Sequence, residues 1–272
     1  MEKLIFNSSM PFAGSELLQV ILHQNPRIYG STTSPMFEYQ FGARVNTNLP
    51  EVRAQNTEIM EEAFDSVCKG IADSYYEKVG LGRPVVIDKN RGWAAYYNWV
   101  ERWNPNPKMI CMVRDLRSIC ASPERTFRAN RHKPEAGVED TKELQNLTVN
   151  ERVGYWLNSF PIGLALKRLQ NSFQTGDAKN ILYVRYEDLC SNPEETLKGI
   201  YEFIEEEPFA HDFKNIVKEI EEDDSHFGPY GRHTVKSVIT AEKPSSWDDV
   251  FEAGISNEIR KNFEWYFQNF NY

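Results

Sequence analysis

The chain has 272 residues, of which 40% are hydrophobic, and its formal net charge is -9 at pH 7. This length can bury a full core as one domain, and the acidic balance disfavours a general nucleic-acid binder. No apolar run approaches the roughly 18 residues of a membrane span, and the amino terminus leads directly into a short strand. The four cysteines lack CxxC spacing, which favours a reducing compartment over a zinc site or disulfides. We therefore expect a cytoplasmic protein without a membrane segment or a nucleic-acid partner.

Short apolar runs alternate along the chain with segments of helical periodicity, which is typical of βαβ units. The predicted strands are Leu4 to Phe6, Val85 to Ile87, Ile110 to Val113 and Ile181 to Val184. The predicted helices are Ser15 to Gln24, Glu58 to Tyr76, Trp93 to Trp103, Val149 to Gln174 with a break or kink at Pro161, Glu194 to Ile204 and Ser256 to Phe267. Such long connections need crossovers, so we expect a three-layer α/β fold with a mostly parallel central sheet flanked by helices. Residues 1–272 are predicted to form a single domain, with a loop or lid inserted around 123–147.

The first predicted strand ends at Phe6 and leads through a glycine-containing loop into an apolar helix. Backbone N–H groups at a helix start have no acceptor within the helix and carry the positive end of its dipole, so anions bind there readily. Gly14 would let the backbone approach a phosphate, and Ser15 could cap the helix or bond a phosphate oxygen. Glycine and serine also serve many helices as ordinary turn and cap residues, and the pattern GxxxxGK[ST] is absent. The segment predicts a P-loop-like phosphate site that differs from that of standard nucleoside triphosphatases.

Arg114 directly follows the apolar run Ile110 to Val113, and Ser122 comes eight residues later. Open α/β folds bind ligands at the carboxyl edge of the sheet, where Arg114 is expected, with Ser122 on the following helix. The local basic residues are Arg114, Arg117, Arg125, Arg128, Arg131 and Lys133. A cationic island on an acidic chain favours a phosphorylated or sulfated small ligand, although some of these arginines are explained equally well as a solvated helix face. Arg114 and Ser122 are predicted to hold one phosphate.

Three segments, taken in order, resemble sulfotransferases that use 3'-phosphoadenosine 5'-phosphosulfate (PAPS). Residues 6–26, FNSSMPFAGSELLQVILHQNP, are similar to the family's 5'-phosphosulfate loop, usually Pro-Arg-Ser-Gly-Ser/Thr-Thr before an apolar helix. Arg114 and Ser122 match the family's 3'-phosphate pair in type and spacing. Tyr186, in the segment YEDL, resembles the tyrosine that contacts the adenine in relatives. Three ordered matches are more specific than any one of them.

The resemblance implies a donor site for PAPS, with PAP as the product, and no metal. The implied donor-binding residues are Pro11, Phe12, Ala13, Gly14, Ser15, Glu16, Arg114, Ser122 and Tyr186, with Arg232 and Lys236 from a late loop that closes over the donor in relatives. Lys89 resembles the family's strand-end lysine, which assists sulfuryl transfer because a fixed ammonium stabilises the negative charge on the reacting oxygens. The simpler alternative is a surface lysine that ends a strand.

Two residues of the loop depart from the family pattern. Phe12 stands where an arginine or lysine is usual, and Glu16 stands where a serine or threonine is expected. The missing cation weakens the hold on the 5'-phosphosulfate, and a nearby carboxylate would repel it unless Glu16 points away. The candidates to supply the missing charge are Arg91, Arg232, Lys236 and Lys243.

The catalytic base is not evident from the sequence. Residues 29–36, YGSTTSPM, lack the glutamate of the tyrosylprotein branch, and Arg91 occupies the position of the cytosolic branch's histidine. The remaining candidates are Glu38, His233, His23 and Asp88, of which Glu38 and His233 are preferred. A base must come within hydrogen-bond reach of the acceptor hydroxyl, which only a structure can show.

The sequence predicts an enzyme that moves a sulfuryl group from PAPS to a hydroxyl on a small molecule, a glycan or a peptide tyrosine. One alternative is a module that binds PAP or PAPS without catalysis, suggested by Phe12, Glu16 and the missing base. Another is a P-loop kinase, although the loop lacks the lysine and the metal-binding hydroxyl that phosphoryl transfer needs. The acceptor's identity and a homodimer are left open.

Overall fold

A computed structural model describes residues 1–130, 144–219, 226, 238–239 and 246–272 of the chain. The strands in these ranges are β1 Lys3–Asn7, β2 Ile28–Gly30, β3 Val85–Lys89, β4 Met109–Val113 and β5 Ile181–Arg185. They form one sheet in the order β2-β3-β1-β4-β5, and every described pairing is parallel. The predicted α/β fold with a parallel central sheet is confirmed.

Helices flank this sheet and account for most of the chain between the strands. Their bounds are α1 Ser15–His23, α2 Met36–Val45, α3 Pro50–Arg53, α4 Thr57–Val79, α5 Tyr97–Trp103, α6 Leu116–Asn130, α7 Val149–Asn158, α8 Ile162–Thr175, α9 Tyr186–Ser191, α10 Pro193–Ile204, α11 Ala253–Asn262 and α12 Glu264–Phe270. The predicted break at Pro161 is confirmed, because α7 ends at Asn158 and α8 begins at Ile162. Proline cannot donate a backbone hydrogen bond, which interrupts a helix at that position.

The order of the strands creates a crevice beside β1. The chain leaves β1 for β2 and β3 on one side of it and then returns to the other side for β4 and β5. Connections that diverge in this way leave a space at the carboxyl edge of a parallel sheet, where ligands bind in open α/β folds. Every residue of β4 is buried, so the strand next to the crevice has a rigid, apolar setting.

Two elements near the site were not predicted. Strand β2 has only three residues, too few to show an apolar pattern. Helix α2 buries Met36, Phe37 and Gln40. Gln40 is polar but buried, and its side chain donates to the Cys68 carbonyl oxygen at 2.7 Å. A polar residue on the buried face interrupts the apolar periodicity by which a helix is predicted from sequence.

The predicted loop around 123–147 is wrong for its first part, because α6 continues to Asn130. Glu124 is completely buried there and accepts hydrogen bonds from the Arg152 guanidinium of α7 at 2.7 and 2.8 Å. The Arg152 guanidinium also lies 4.3 Å from the centroid of the Phe127 ring. These charged residues pair across two helices. Residues 131–143 lie outside the described residues.

The described helices of this chain are short or polar relative to a membrane-spanning helix. Across the described ranges, none of them combines the length and the apolar character needed to cross a bilayer.

His23 is buried at the carboxyl end of α1, where its Nδ1 accepts the N–H of Gly30 at 3.2 Å. Burial lowers the pKa of His23 to about 4, and the nearby Arg83 acts in the same direction. An unfolded chain would bind a proton at this histidine below about pH 6.5, whereas the folded chain would not until about pH 4.

We expect the free energy of unfolding to fall by about 2 kcal/mol at this histidine when the pH is lowered from 7 to 5. Urea denaturation at the two pH values measures the loss. The control is His23→Gln, in which an amide oxygen can still accept from Gly30, and which should lose less stability between the two pH values. Identical pH dependence in the two proteins would show that His23 does not cause the effect.

Candidate active site

The loop after β1 is fixed to β4 on one side and to the segment that follows β3 on the other. Its Ser8 N–H donates to the Ile110 carbonyl oxygen at 2.8 Å, and the Ser9 hydroxyl accepts the Met112 N–H at 2.8 Å. On the other side, the Ser8 hydroxyl accepts the Ala94 N–H at 2.9 Å, just after β3. Hydrogen bonds to both sides hold the loop rigidly at the carboxyl edge of the sheet.

Two residues of this loop have left-handed backbone conformations, Phe12 with φ 58° and Gly14 with φ 81°. Gly14 immediately precedes α1 and has no side chain to cap it. Within the described residues, the first N–H groups of α1 have no side-chain acceptor at the cap position, so they are available to an anion. Ser15 begins the helix instead of capping it.

Arg114, Tyr186 and the loop after β1 are brought into contact by the fold. The Arg114 Nη1 donates to the Phe12 carbonyl oxygen at 3.0 Å, and the guanidinium carbon lies 4.7 Å from the Tyr186 ring centroid. A Cβ atom placed on Gly14 would lie 2.4 Å from Cδ2 of Tyr186. Residues that follow β1, β4 and β5, and that the sequence predicted to share one site, are therefore neighbours.

Arg114 is only 6% exposed, and this burial lowers the pKa of its guanidinium. Arginine nevertheless stays protonated in proteins, so a buried positive charge lies at the crevice. Its backbone is fixed as well, because the Tyr266 hydroxyl of α12 donates to the Arg114 carbonyl oxygen at 2.9 Å. Tyr266 was not singled out in the sequence, since no motif contains it.

Ser122 lies about two turns into α6 and is half-buried. Its hydroxyl donates to the Ser118 carbonyl oxygen at 3.2 Å. A hydroxyl has one proton to donate, so it would have to rotate away from Ser118 to donate to an anion.

Lys89 ends β3 and pairs in register with Asn7 at the end of β1. Its ammonium donates to the Thr32 carbonyl oxygen at 2.8 Å. The loop that carries Thr32 is itself fixed, because the Ser31 N–H donates to Ile87 at 3.0 Å and the Gln19 side chain donates to Ser31 at 2.9 Å. The lysine is thus held beside the start of the loop that follows β1.

The structure disfavours Asp88 and His23 as the catalytic base. Asp88 is completely buried and accepts hydrogen bonds from the Tyr76 hydroxyl and from the Trp93 Nε1. Burial raises the pKa of its carboxyl group. His23 ends α1, whose nine residues separate it by roughly 12 Å from the loop at the other end of that helix. Both side chains have structural roles.

The remaining predicted residues are one exposed glutamate, two buried loop residues and four residues outside the described ranges. Glu38 lies in the first turn of α2 and is exposed. His233, Arg232, Lys236 and Lys243 lie outside the described residues. Pro11 and Ala13 are buried within the loop after β1.

The unusual Glu16 is buried and its charge is compensated. Its Oε1 lies 2.6 Å from the ammonium of Lys218, a residue of the segment that follows α10. Lys218 belongs to no motif, so the sequence offered no signal for it. An ion pair at this place reduces the repulsion that Glu16 alone would exert on a bound anion.

Arg91 follows Lys89 by two residues and is half-buried. Burial lowers the pKa of its guanidinium, and the nearby positive charge of Arg168 acts in the same direction. Among the residues that the structure describes, no carboxylate forms an ion pair with Arg91. This cation is therefore a candidate to replace the one that is missing at Phe12.

A model of the sulfotransferase family matches residues 5–211, so the chain belongs to the sulfotransferase family. The match begins in β1 and extends beyond α10, and it includes the loop after β1, Lys89, Arg114 and Tyr186. Members of this family transfer sulfuryl groups to hydroxyl acceptors. Within the described ranges no group of histidine, cysteine or carboxylate side chains is arranged to hold a metal ion.

Individual relatives agree with this assignment. A protein from Caenorhabditis briggsae named "Putative protein-tyrosine sulfotransferase" is 27% identical over 260 residues, which cover 92% of this chain and 82% of that protein. The sulfotransferase domain of the curacin biosynthetic pathway has the same fold, with a TM-score of 0.58 at 15% identity, covering 97% of this chain and 98% of that one. The sulfotransferase domain of the Synechococcus PCC 7002 olefin synthase has a TM-score of 0.53 at 16% identity, with coverage of 96% and 94%.

We expect Gly14→Ala to destabilise the fold by about 2 kcal/mol or more, because alanine disfavours the left-handed conformation and its Cβ would overlap the Tyr186 ring. The control is Gly199→Ala in α10, where the structure shows nothing within 4 Å of the added Cβ. That variant should be neutral or slightly more stable. Urea denaturation compares the two, and equal stabilities would contradict the close contact between Gly14 and Tyr186.

Proposed function

We propose that this chain is a PAPS-dependent sulfotransferase that acts on an aromatic hydroxyl, of the kind that a tyrosine side chain carries. The observation that carries the proposal is the contact among the loop after β1, Arg114 and Tyr186 at the carboxyl edge of the sheet. The chain's membership of the sulfotransferase family supports the reaction type. The tyrosine-directed name of the C. briggsae relative supports the aromatic acceptor.

The residues present fit the two ends of the donor. The first N–H groups of α1 and the Gly14 backbone would hold the 5' end, since a helix start attracts anions. Arg114 and the Ser122 hydroxyl would hold the 3'-phosphate, with the hydroxyl turned from Ser118 to donate to a phosphate oxygen. Tyr186 would contact the adenine with its ring. When bound, PAPS supplies an activated sulfuryl group.

Lys89 would stabilise the negative charge that develops on the oxygens around the reacting sulfur. A fixed ammonium is effective because it needs no reorganisation as the charge develops. The hydrogen bond from Lys89 to Thr32 provides this fixed position in the protein. Arg91, which lacks a carboxylate partner among the described residues, would add a second cation and offset the absence of one at Phe12.

The acceptor hydroxyl must lose its proton during transfer, which requires a base within hydrogen-bond reach. Of the candidates, Glu38 is exposed in the first turn of α2, so its carboxylate would be accessible to an acceptor. His233 is the second candidate. Asp88 is excluded by its burial and by its bonds to Tyr76 and Trp93.

A second candidate function is donor binding without transfer. It is favoured by Phe12, which places an apolar side chain at the position of the family's 5' cation. The Phe12 ring packs against the apolar core, and its carbonyl oxygen accepts a hydrogen bond from Arg114. The ring would therefore not replace the charged contact that an arginine or lysine makes with the donor.

Arg114→Gln should weaken PAP binding about tenfold or more, because it replaces a buried charge at the proposed 3'-phosphate site with a neutral amide. Isothermal titration calorimetry with PAP measures the change. The matched control is Arg27→Gln, which removes an exposed arginine that pairs with Glu2 and Glu206 near the amino edge of the sheet. Unchanged PAP affinity in Arg114→Gln would refute the assignment of the 3'-phosphate site.

Lys89→Met should reduce PAP release with a phenolic acceptor by on the order of 100-fold, while PAP affinity stays within about threefold of the wild type. The expectation rests on a lysine that acts on the developing charge and contributes little to donor binding. Turnover is measured with PAPS and 2-naphthol, and PAP affinity by calorimetry. A wild-type chain that binds PAP but releases none with any phenol would support the second candidate function instead.

A further inference from the structure

A second concave region lies away from the donor site, between α2, α3, α4 and α5. It encloses about 490 Å³, within the range of pockets that hold a single small molecule. We call it the α2–α5 groove. The lining residues that matter here are Arg44, Arg53, Met60, Phe64, Trp99 and Arg102. None of the residues placed in the donor site lines it.

One side of the α2–α5 groove is an aromatic wall. The rings of Phe64 and Trp99 are parallel within 8°, with their centroids 6.4 Å apart, and both are half-buried. Flat apolar surface of this kind favours stacking by a planar ring. The thioether of Met60 lies in the same lining and adapts to ligands of differing shape.

The charge of the groove is positive. Arg102 is neutralised by Glu61 at 3.2 Å and Asp65 at 3.0 Å, so the one carboxylate in the lining is already engaged. Arg44 and Arg53 form no ion pair with any carboxylate of the described residues. The guanidinium of Arg44 instead lies 5.7 to 5.9 Å from aromatic rings, one of which is Trp99. Arg44 therefore lies beside the aromatic wall, and Arg53 lines the same groove.

We propose that the α2–α5 groove binds a small planar aromatic anion, such as an aromatic carboxylate or sulfonate. The ring stacks on Phe64 and Trp99, and the anionic group lies between Arg44 and Arg53. A neutral aromatic compound would satisfy the wall but leave both arginines without a partner. An aliphatic anion would satisfy the arginines but not the wall.

The test is isothermal titration calorimetry of the full chain with 2-naphthoate, and with the neutral 2-naphthalenemethanol as the matched compound. We expect 2-naphthoate to bind about fivefold more tightly than the alcohol, the upper end of the range for one exposed charge pair. Arg44→Gln and Arg53→Gln should each weaken 2-naphthoate binding by about the same factor. Arg27→Gln, which removes an exposed arginine elsewhere, should leave it unchanged.

Two further measurements separate this groove from the donor and acceptor sites. Trp99→Leu removes one ring of the aromatic wall and should weaken both compounds. Saturating PAP and the variant Lys89→Met should both leave the naphthoate affinity unchanged. The proposal is overturned if the two compounds bind equally, if neither arginine variant weakens binding, or if binding is lost in Lys89→Met.

Discussion

The contact between the Arg114 guanidinium and the loop after β1 is the interaction on which the candidate site depends. A positive charge that is almost completely buried is costly unless polar groups or rings compensate it. The Phe12 carbonyl oxygen and the Tyr186 ring provide part of that compensation. Because Tyr186 also lies directly over Gly14, the left-handed turn before α1, the cation and the ring fix one another. The segments that follow three parallel strands thereby form one crevice.

The charges around this crevice differ from the usual family arrangement but remain balanced. Glu16 would repel an anionic donor if it stood alone, yet Lys218 lies beside its carboxylate. The loop lacks a cation at Phe12, and Arg91 carries one just after β3. Electrostatic stabilisation depends on where charges lie in space and not on which segment supplies them. The departures at these two positions are therefore compatible with donor binding.

A continuous set of aromatic contacts joins the donor site to the α2–α5 groove. The Phe37 ring lies against Gly92, just after Lys89, where a Cβ would come within 2.6 Å of its Cζ. Phe37 also contacts the rings of Tyr96 and Trp99, and Trp99 forms the wall of the groove. The contact between Phe37 of α2 and Trp99 of α5 also packs two of the helices that form the groove against each other.

The sequence by itself determined the parallel α/β fold, because buried strands and the helices between them have patterns that are local. It also predicted that the loop after β1, Arg114 and Tyr186 lie close together, since each of them follows a strand, and the structure shows them in contact. Only the tertiary structure decided the rest. The Glu16–Lys218 ion pair joins residues 202 positions apart, and the burial of Asp88 and the pairing of Glu124 with Arg152 depend on packing between distant elements. Contacts of this kind leave no spacing in the sequence, so the charge balance and the role of each carboxylate could not be predicted from it.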